Sequence, residues 1–150
     1  MAEKSLKFTT NFSFKNLSSK INSIVDKAMK KEGQGVATES KKTIMSGTEL
    51  KPLSATTIKK RIAGISDYEP EHQPFSQPQT KPLFYTGDLH DSIKAKDKSV
   101  EMFFYGRNHN EGIGEPKREF IAKPGSEKLK KTEDLIRKEM EKDIYEAMKK

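Results

Sequence analysis

The chain contains no cysteine among its 150 residues. Disulfide bonds, thiolate zinc sites and cysteine nucleophiles are therefore all excluded. The sequence also has no apolar run long enough for a membrane span or for the core of a signal peptide. We therefore expect a soluble protein that makes no contact with a membrane and that either belongs to a reducing compartment or has no redox role.

Hydrophobic residues are scarce as well, at 32% of the chain against 34% charged residues. A chain of this length is expected to form one domain, here residues 1–150, and to bury about two thirds of its unfolded surface. The number of apolar side chains is small for a core of that size. We therefore expect part of the burial to be completed in an assembly with other proteins.

Patterns typical of catalysis or metal binding are missing too. The sequence has three histidines, and Asp88, His90 and Asp91 lack both the four-residue helical spacing and the second cluster of a metal site. The Gly-Ile-Gly run at 112–114 does not join a strand to a helix, and no Gly-x-Ser-x-Gly elbow is present. We therefore predict a protein that is not an enzyme and that uses no metal and no cofactor.

The net charge of +7 is concentrated in the N-terminal third of the chain. Residues 1–62 hold 13 Lys and Arg against 5 Asp and Glu, residues 63–124 hold 8 against 10, and residues 125–150 hold 8 against 7. Such asymmetry suits a nucleic acid or an acidic protein surface. A solvated helix face that keeps the protein soluble has the same composition, so both interpretations stay open.

A long amphipathic helix is predicted after an arm or short strand at residues 1–13. From Phe14 onward, apolar residues recur at spacings of three and four, as on one face of a helix. Gly33 and Gly35 interrupt this pattern, and each costs about 1 kcal/mol in a helix relative to Ala. We expect either one kinked helix or two helices, ending at Gly47.

Two further helices are predicted from their N-caps. One covers about 55–63 after Ser54, and it exposes a Lys-Lys-Arg cluster at 59–61. The other begins after Ser126 and carries an apolar stripe whose burial far outweighs its ion pairs, so it forms because it packs. This stripe consists of Leu129, Leu135, Ile136, Met140, Ile144, Ala147 and Met148.

Residues 66–82 contain four prolines and no apolar periodicity. Ordering this segment would cost on the order of 17–34 kcal/mol, at about 1–2 kcal/mol per residue, and it offers only two aromatic side chains for burial. We therefore predict an extended Pro- and Gln-rich arm that settles on a neighbouring subunit. Its anchors would be Tyr68 and Phe75.

A small antiparallel sheet is predicted between about 93 and 122. Phe103 and Tyr105 fall on the nominally polar face of its second strand, so both faces of that strand need cover, one from the helices and the other from a second subunit. The strands are predicted at Ile93–Lys96, Ser99–Gly106 and Arg118–Ala122, with a mobile loop at 107–116. The chain is thus predicted to be an α+β fold, with N-terminal helices and a C-terminal helix packed on this sheet.

The stretch Lys-Pro-Leu-Phe-Tyr-Thr-Gly-Asp-Leu-His-Asp-Ser-Ile at residues 81–93 joins the arm to the sheet. Upstream of it lie Pro-Leu-Ser at 52–54, Thr57 and Arg61, and downstream lies Arg-Glu-Phe-Ile at 118–121. In this order and spacing, these elements resemble the signature of phage virion-morphogenesis proteins. That family comprises the small tail-completion or neck proteins of Mu-like and lambdoid tailed phages.

The resemblance implies a structural virion protein of a tailed bacteriophage. It would be a subunit of a homo-oligomeric ring at the neck or at the head-proximal end of the tail, as a tail-completion or tail-terminator protein that permits head–tail joining. The family suggests a hexamer, with other neck and tail proteins as further partners. The protein would lie in the virion, and in the host cytoplasm during assembly, and its contact with DNA in the channel would be non-specific.

Seven residues are candidates for subunit contacts. For each aromatic candidate, the alternative interpretation is an ordinary core residue. For the arginine, the alternative is a salt bridge inside the fold. The candidates are Tyr68, Phe75, Phe84, Tyr85, Phe103, Tyr105 and Arg118.

A small basic nucleic-acid-binding protein is the alternative function. The basic N-terminal helix and the Lys-Lys-Arg cluster at 59–61 favour it, with Phe8, Phe12 and Phe14 as stacking groups. However, no recognised nucleic-acid motif is present, and residues 63–150 are nearly neutral. A role in reading a specific DNA sequence is therefore not expected.

Overall fold

The computed structural model of the protein describes residues 14–63, 80–84 and 86–149. These ranges are mostly helical, with a small two-stranded antiparallel sheet, which confirms the predicted α+β class. The predicted N-terminal arm and residues 66–79 of the Pro-rich arm lie outside the described residues. The elements are α1 (Phe14–Ser46), α2 (Ala55–Ile62), α3 (Asp88–Ser92), β1 (Lys94–Lys96), β2 (Ser99–Glu101), α4 (Phe104–Glu111) and α5 (Glu127–Lys149).

Helix α1 is continuous through both of its glycines. An added Cβ at Gly33 would lie 3.7 Å from the carbonyl oxygen of Ser99, whereas one at Gly35 would lie 2.8 Å from Thr132 Cγ2. Glycine at 35 therefore lets α5 approach closely, and it does not end the helix. The end falls where the sequence predicts it, at Gly47, whose φ of +66° is a left-handed conformation and whose N–H donates to the carbonyl of Thr43 at 3.0 Å.

Helix α5 runs antiparallel to α1. Lys27 Nζ lies 2.9 Å from Asp143 Oδ2, Lys31 pairs with Glu139, and Gly35 faces Thr132. The apolar stripe facing α1 is narrower than predicted, because Leu135 and Met148 are 56% and 62% exposed. The residues that α5 buries or half-buries from the predicted stripe are Leu129, Ile136, Met140, Ile144 and Ala147.

Helices α2 and α3 begin after Ser54 and Gly87. The Ser54 hydroxyl accepts from the Thr57 N–H at 3.1 Å, so Ser54 caps α2 as predicted. Thr86 accepts from the Asp88 N–H at 3.3 Å, ahead of α3. Leu89 and Ile93, four residues apart, are 4% and 1% exposed, so the short α3 segment puts both in the core.

The predicted second strand is wrong beyond Glu101, because residues 104–111 form helix α4 and Arg107 does not begin a loop. The Phe103 N–H donates to the Ser92 hydroxyl at 3.1 Å, which turns the chain away from the sheet. Gly106 is buried against α3, and an added Cβ there would lie 2.6 Å from Leu89 Cδ1. Tertiary contacts with α3 thus override the strand-like alternation of Val, Met and Phe.

The predicted third strand, Arg118–Ala122, is also wrong, because this extended segment pairs with no strand among the described residues. Side chains and one carbonyl take up its backbone N–H groups instead. The carbonyl of His109 accepts from the Arg118 N–H at 2.8 Å, and Asn110 Oδ1 accepts from Phe120 and Ile121, both at 3.1 Å. These N–H groups are therefore not free to form the hydrogen bonds of a β-sheet.

This segment carries the centre of the core. Phe120 is 1% exposed and lies in one buried cluster with residues from α1, α3 and the turn after α1, while Ala122 packs with Val36 and Leu129 in a second cluster. Both clusters are contacted by Val100 and Ile121. The other buried members of the first cluster are Ala37, Ile44, Leu50, Leu89 and Ile93.

We predict opposite effects of alanine at two helical glycines. Gly33→Ala should raise the free energy of unfolding by up to about 1 kcal/mol, because its Cβ makes only ordinary contacts and Ala is the better helix former. Gly106→Ala should lower it by about 1–3 kcal/mol, because its Cβ collides with Leu89. Urea unfolding followed by circular dichroism measures both, and a gain at Gly106 would contradict the packing described.

We also predict that Asn110→Ala destabilises the fold by about 2 kcal/mol, since the N–H groups of Phe120 and Ile121 lose their shared acceptor. The matched control is Asn108→Ala in the same helix, where only the backbone carbonyl accepts hydrogen bonds. Urea unfolding should show a change within about 0.5 kcal/mol for the control. Equal losses in the two variants would mean that the Asn110 side chain does not hold the segment.

Candidate assembly surface

Three adjacent aromatic residues at the start of α4 are exposed together. Phe103, Phe104 and Tyr105, which we call the aromatic cluster, are 38%, 76% and 44% exposed. The Phe103 and Tyr105 rings contact each other with centroids 5.7 Å apart and planes tilted by 31°. Aromatic groups of this size normally bury about 150–250 Å² each, so this surface resembles an uncovered contact.

The local fold explains why the cluster faces outward. The bond from the Phe103 N–H to Ser92 fixes where the chain leaves the hairpin, and the Gly106 N–H donates to the Phe103 carbonyl at 2.9 Å in the first turn of α4. Gly106 then occupies the inward side against Leu89 and Met102. With the smallest residue turned inward, the large side chains of this first turn are left on the outside.

The cluster contains two of the predicted contact residues and one that the sequence analysis missed. Phe103 and Tyr105 were expected to project from one face of a strand, but they flank the most exposed aromatic residue, Phe104, at the start of a helix. The alternation placed Phe104 with Val100 and Met102 on the inward face. The glycine at 106, which breaks a strand pattern, was the signal for a different structure.

The remaining candidates have other surroundings. Phe84 is half-buried against the first core cluster, with its ring edge-on to His90 at 5.8 Å between centroids. Arg118 is 7% exposed, and its Nε donates to the Lys51 carbonyl at 3.0 Å. Arg118 thus binds backbone oxygen within its own subunit. Tyr68, Phe75 and Tyr85 lie outside the described residues.

Ion pairs involve most of the basic side chains of α1. Lys27 and Lys31 pair with α5, and Lys30 lies 3.8 Å from Asp97 in the hairpin turn. The hydrogen bond that Lys27 donates to the Asp143 carboxylate raises the pKa of Lys27 above its ordinary value. Lys42 pairs with Glu39 within α1 at 2.6 Å. Four of the seven lysines of α1 therefore have carboxylate partners, which reduces the basic surface that the N-terminal sequence predicts.

His109 has an unusual environment on α4. Its Nδ1 is buried and has no hydrogen-bond partner among the described residues. Burial lowers the pKa of His109 below its ordinary value, with a smaller opposing effect from Glu115 and a further lowering by Arg118. Because the carbonyl of the same residue holds the Arg118 N–H, the imidazole lies beside the segment that carries Phe120.

The described residues contain no group of three His, Cys, Asp or Glu side chains placed to hold a metal ion. A wide-open surface depression of about 510 Å³ lies beside the hairpin turn and is lined mainly by charged side chains. No helix in the described ranges has the length and apolar character to cross a membrane.

Comparison of the chain with protein-family models, with curated protein sequences and with solved structures gave no significant match.

We predict that the free energy of unfolding falls as the pH is lowered from about 7.5 to about 5.5. The pKa of His109 is lower in the folded protein, so the unfolded chain binds the proton first below about pH 6.5, and the stability is lost towards the folded pKa. Urea unfolding at several pH values should show a weaker pH dependence for His109→Gln than for wild type. Asn108→Ala, which removes no titratable group from the same helix, is the control and should keep the wild-type dependence; if His109→Gln keeps it too, the assignment is wrong.

Proposed function

We propose that this protein is a structural component of a tailed-phage virion, a ring subunit at the neck or the head-proximal end of the tail. The observation that carries the proposal is the convergence of the separate signature elements in the fold. Arg118 Nε donates to the carbonyl of Lys51, beside the Pro-Leu-Ser element, and Arg61 Nη1 donates to the carbonyl of Lys81 at 3.0 Å. Residues that are distant in the sequence but in contact in the structure are those on which a fold depends, so a signature made of such residues is expected to accompany one fold.

The core supports the same interpretation. Phe120 of the downstream element packs in one cluster with Leu89 and Ile93 of the central element, while Pro82 is buried against Gly47 at the end of α1. These residues therefore specify how the subunit folds. Contacts with neighbours would come from other positions, and the aromatic cluster is the best candidate surface for them.

Under this proposal the protein acts stoichiometrically and carries out no reaction. Subunits associate through two different surfaces, because a head-to-tail arrangement of identical chains closes into a ring when the rotation between neighbours permits it. The aromatic cluster would supply the apolar centre of one of these surfaces, with charged residues at its rim. The completed ring would present one face to the tail and the other to the head.

Electron microscopy of lysates tests the proposed role. A phage with this gene disrupted should accumulate DNA-filled heads beside separate tails, and addition of the purified protein should restore joined particles. Tails of abnormal length would indicate a terminator role in particular. Intact virions in the absence of the protein would contradict the structural assignment.

We predict that Phe104→Ser weakens self-association of the protein. Truncation of a central aromatic residue at an interface costs about 2 kcal/mol or more, which corresponds to a rise of about 30-fold in Kd. Sedimentation velocity at several protein concentrations measures the change. Ile62→Ser, at a 59% exposed apolar residue of α2, is the matched control and should associate as wild type does. Equal association of wild type and Phe104→Ser would exclude the aromatic cluster from the interface.

A further inference from the structure

The side of α5 that faces away from α1 carries a second regular stripe. Its residues recur at spacings of four and three, which places them along one side of a helix. Over 18 residues at about 1.5 Å each, the stripe is about 27 Å long. All six side chains are exposed. We call this the outer stripe, and its members are Lys131, Leu135, Lys138, Lys142, Tyr145 and Lys149.

The first three lysines of this stripe have no ion-pair partner among the described residues, and four nearby carboxylates pair with other residues. Lys131 could pair with Glu127 one turn earlier, but Glu127 pairs with Lys130 at 3.8 Å. Lys138 could pair with Asp134, but Asp134 pairs with Arg137 at 3.9 Å.

The same holds for Lys142. The carboxylate of Glu146, one turn later, pairs with Lys149 at 3.4 Å, and Glu139, one turn earlier, pairs with Lys31 of α1. Glu141 makes no ion pair in the described structure, but it flanks the stripe and does not belong to it. The packing of α5 on α1 thus engages Asp143 with Lys27 and Glu139 with Lys31, and it leaves Lys131, Lys138 and Lys142 exposed without an ion pair in the described structure.

We infer that the outer stripe of α5 is a binding surface for the phosphate backbone of a nucleic acid. Lysine is a flexible point charge, so a row of lysines suits a long line of negative charge without requiring a fixed spacing. A phosphate backbone is charged along its whole length, and contacts to phosphate carry no sequence information. The Lys149 ammonium lies 4.0 Å from the centroid of the Tyr145 ring, a cation–π contact that keeps this positive charge on the outer stripe.

The composition of the stripe argues against a lipid surface. An interfacial helix segregates its apolar residues on one face, opposite the charged face. Here the apolar face is turned to α1, and the outer stripe offers only Leu135 and Tyr145, each flanked by lysines. This inference does not depend on the proposed virion role, since it concerns charge on the isolated subunit.

Fluorescence anisotropy of the full chain with a short random-sequence DNA duplex tests the inference. Affinity is measured between about 50 and about 200 mM salt, where each phosphate contact contributes about 0.9 to the slope of log K against log salt. The test variant loses three lysines of the outer stripe, and the control loses three exposed lysines from other elements that have no ion pair with any described residue. The test substitutions are Lys131→Gln, Lys138→Gln and Lys142→Gln, and the control substitutions are Lys20→Gln, Lys51→Gln and Lys94→Gln.

Both triple variants lose the same net charge, so a difference between their DNA affinities can come only from a local binding site. We expect the slope to fall by about 2.7 in the test variant and by less than about 1 in the control. Equal losses in the two variants, or an unchanged slope in the test variant, would overturn the inference. Polyglutamate that binds wild type as tightly as DNA of equal charge would also overturn it, since the partner would then be an acidic protein.

A conservative variant guards against a loss that comes from misfolding. Lysine to arginine at positions 131, 138 and 142 keeps the charge, and it should restore the wild-type salt slope. Circular dichroism should show the same helix content for the glutamine, arginine and wild-type proteins. Failure of the arginine variant to bind DNA while its helix content is unchanged would mean that positive charge at these positions is not what binds DNA.

Discussion

The fold depends on the way in which side chains satisfy the backbone of residues 118–122. Ser40 of α1 is fully buried; its hydroxyl donates to the Val36 carbonyl at 2.7 Å and accepts from the Ala122 N–H at 3.0 Å. Asn110 of α4 accepts from two further N–H groups of the segment. Unsatisfied buried N–H groups cost about 1–3 kcal/mol each, so these two polar side chains determine whether the segment can lie inside at all.

Other parts of the structure follow from this placement. With the segment inside, Phe120 reaches Ile44 and Ile93 in the main cluster, and Ala122 reaches Val36. The chain then leaves the core beside α1, and α5 begins five residues after Ala122 and packs back along α1. The pairing of the two long helices therefore starts from a position that a small number of hydrogen bonds define.

Local signals predicted the start of α2, the end of α1 and the α+β class, because the information for them lies within a few residues. The predicted cap of α5 was wrong, since the Ser126 hydroxyl is buried and makes no hydrogen bond among the described residues. Ser54 begins α2 and Gly47 ends α1, as capping chemistry requires. The prediction of strands beyond Glu101 was wrong because the structure there depends on contacts between residues that are distant in the sequence. Gly106 must meet Leu89, and Phe103 must meet Ser92, and neither contact is visible in the alternation of the sequence.

The residues of the candidate surface were also predicted only where local sequence information was sufficient. Sequence identified Phe103 and Tyr105 as residues that need cover, and both are exposed, but it missed Phe104 because it assigned this residue to the inner face of a strand. Arg118 is as buried as the core residues, since its guanidinium binds carbonyl groups of its own chain.

Charge shows most clearly why composition does not locate a surface. The N-terminal third has the excess of lysine, yet Lys27, Lys30 and Lys31 face carboxylates of α5 and the hairpin. The C-terminal 26 residues carry 8 basic against 7 acidic side chains, which is nearly neutral. Because the acidic residues Glu139 and Asp143 face α1, they pair with lysines of α1 and not with those on the far side of α5. The sign of a surface is thus set by which residues the packing neutralises.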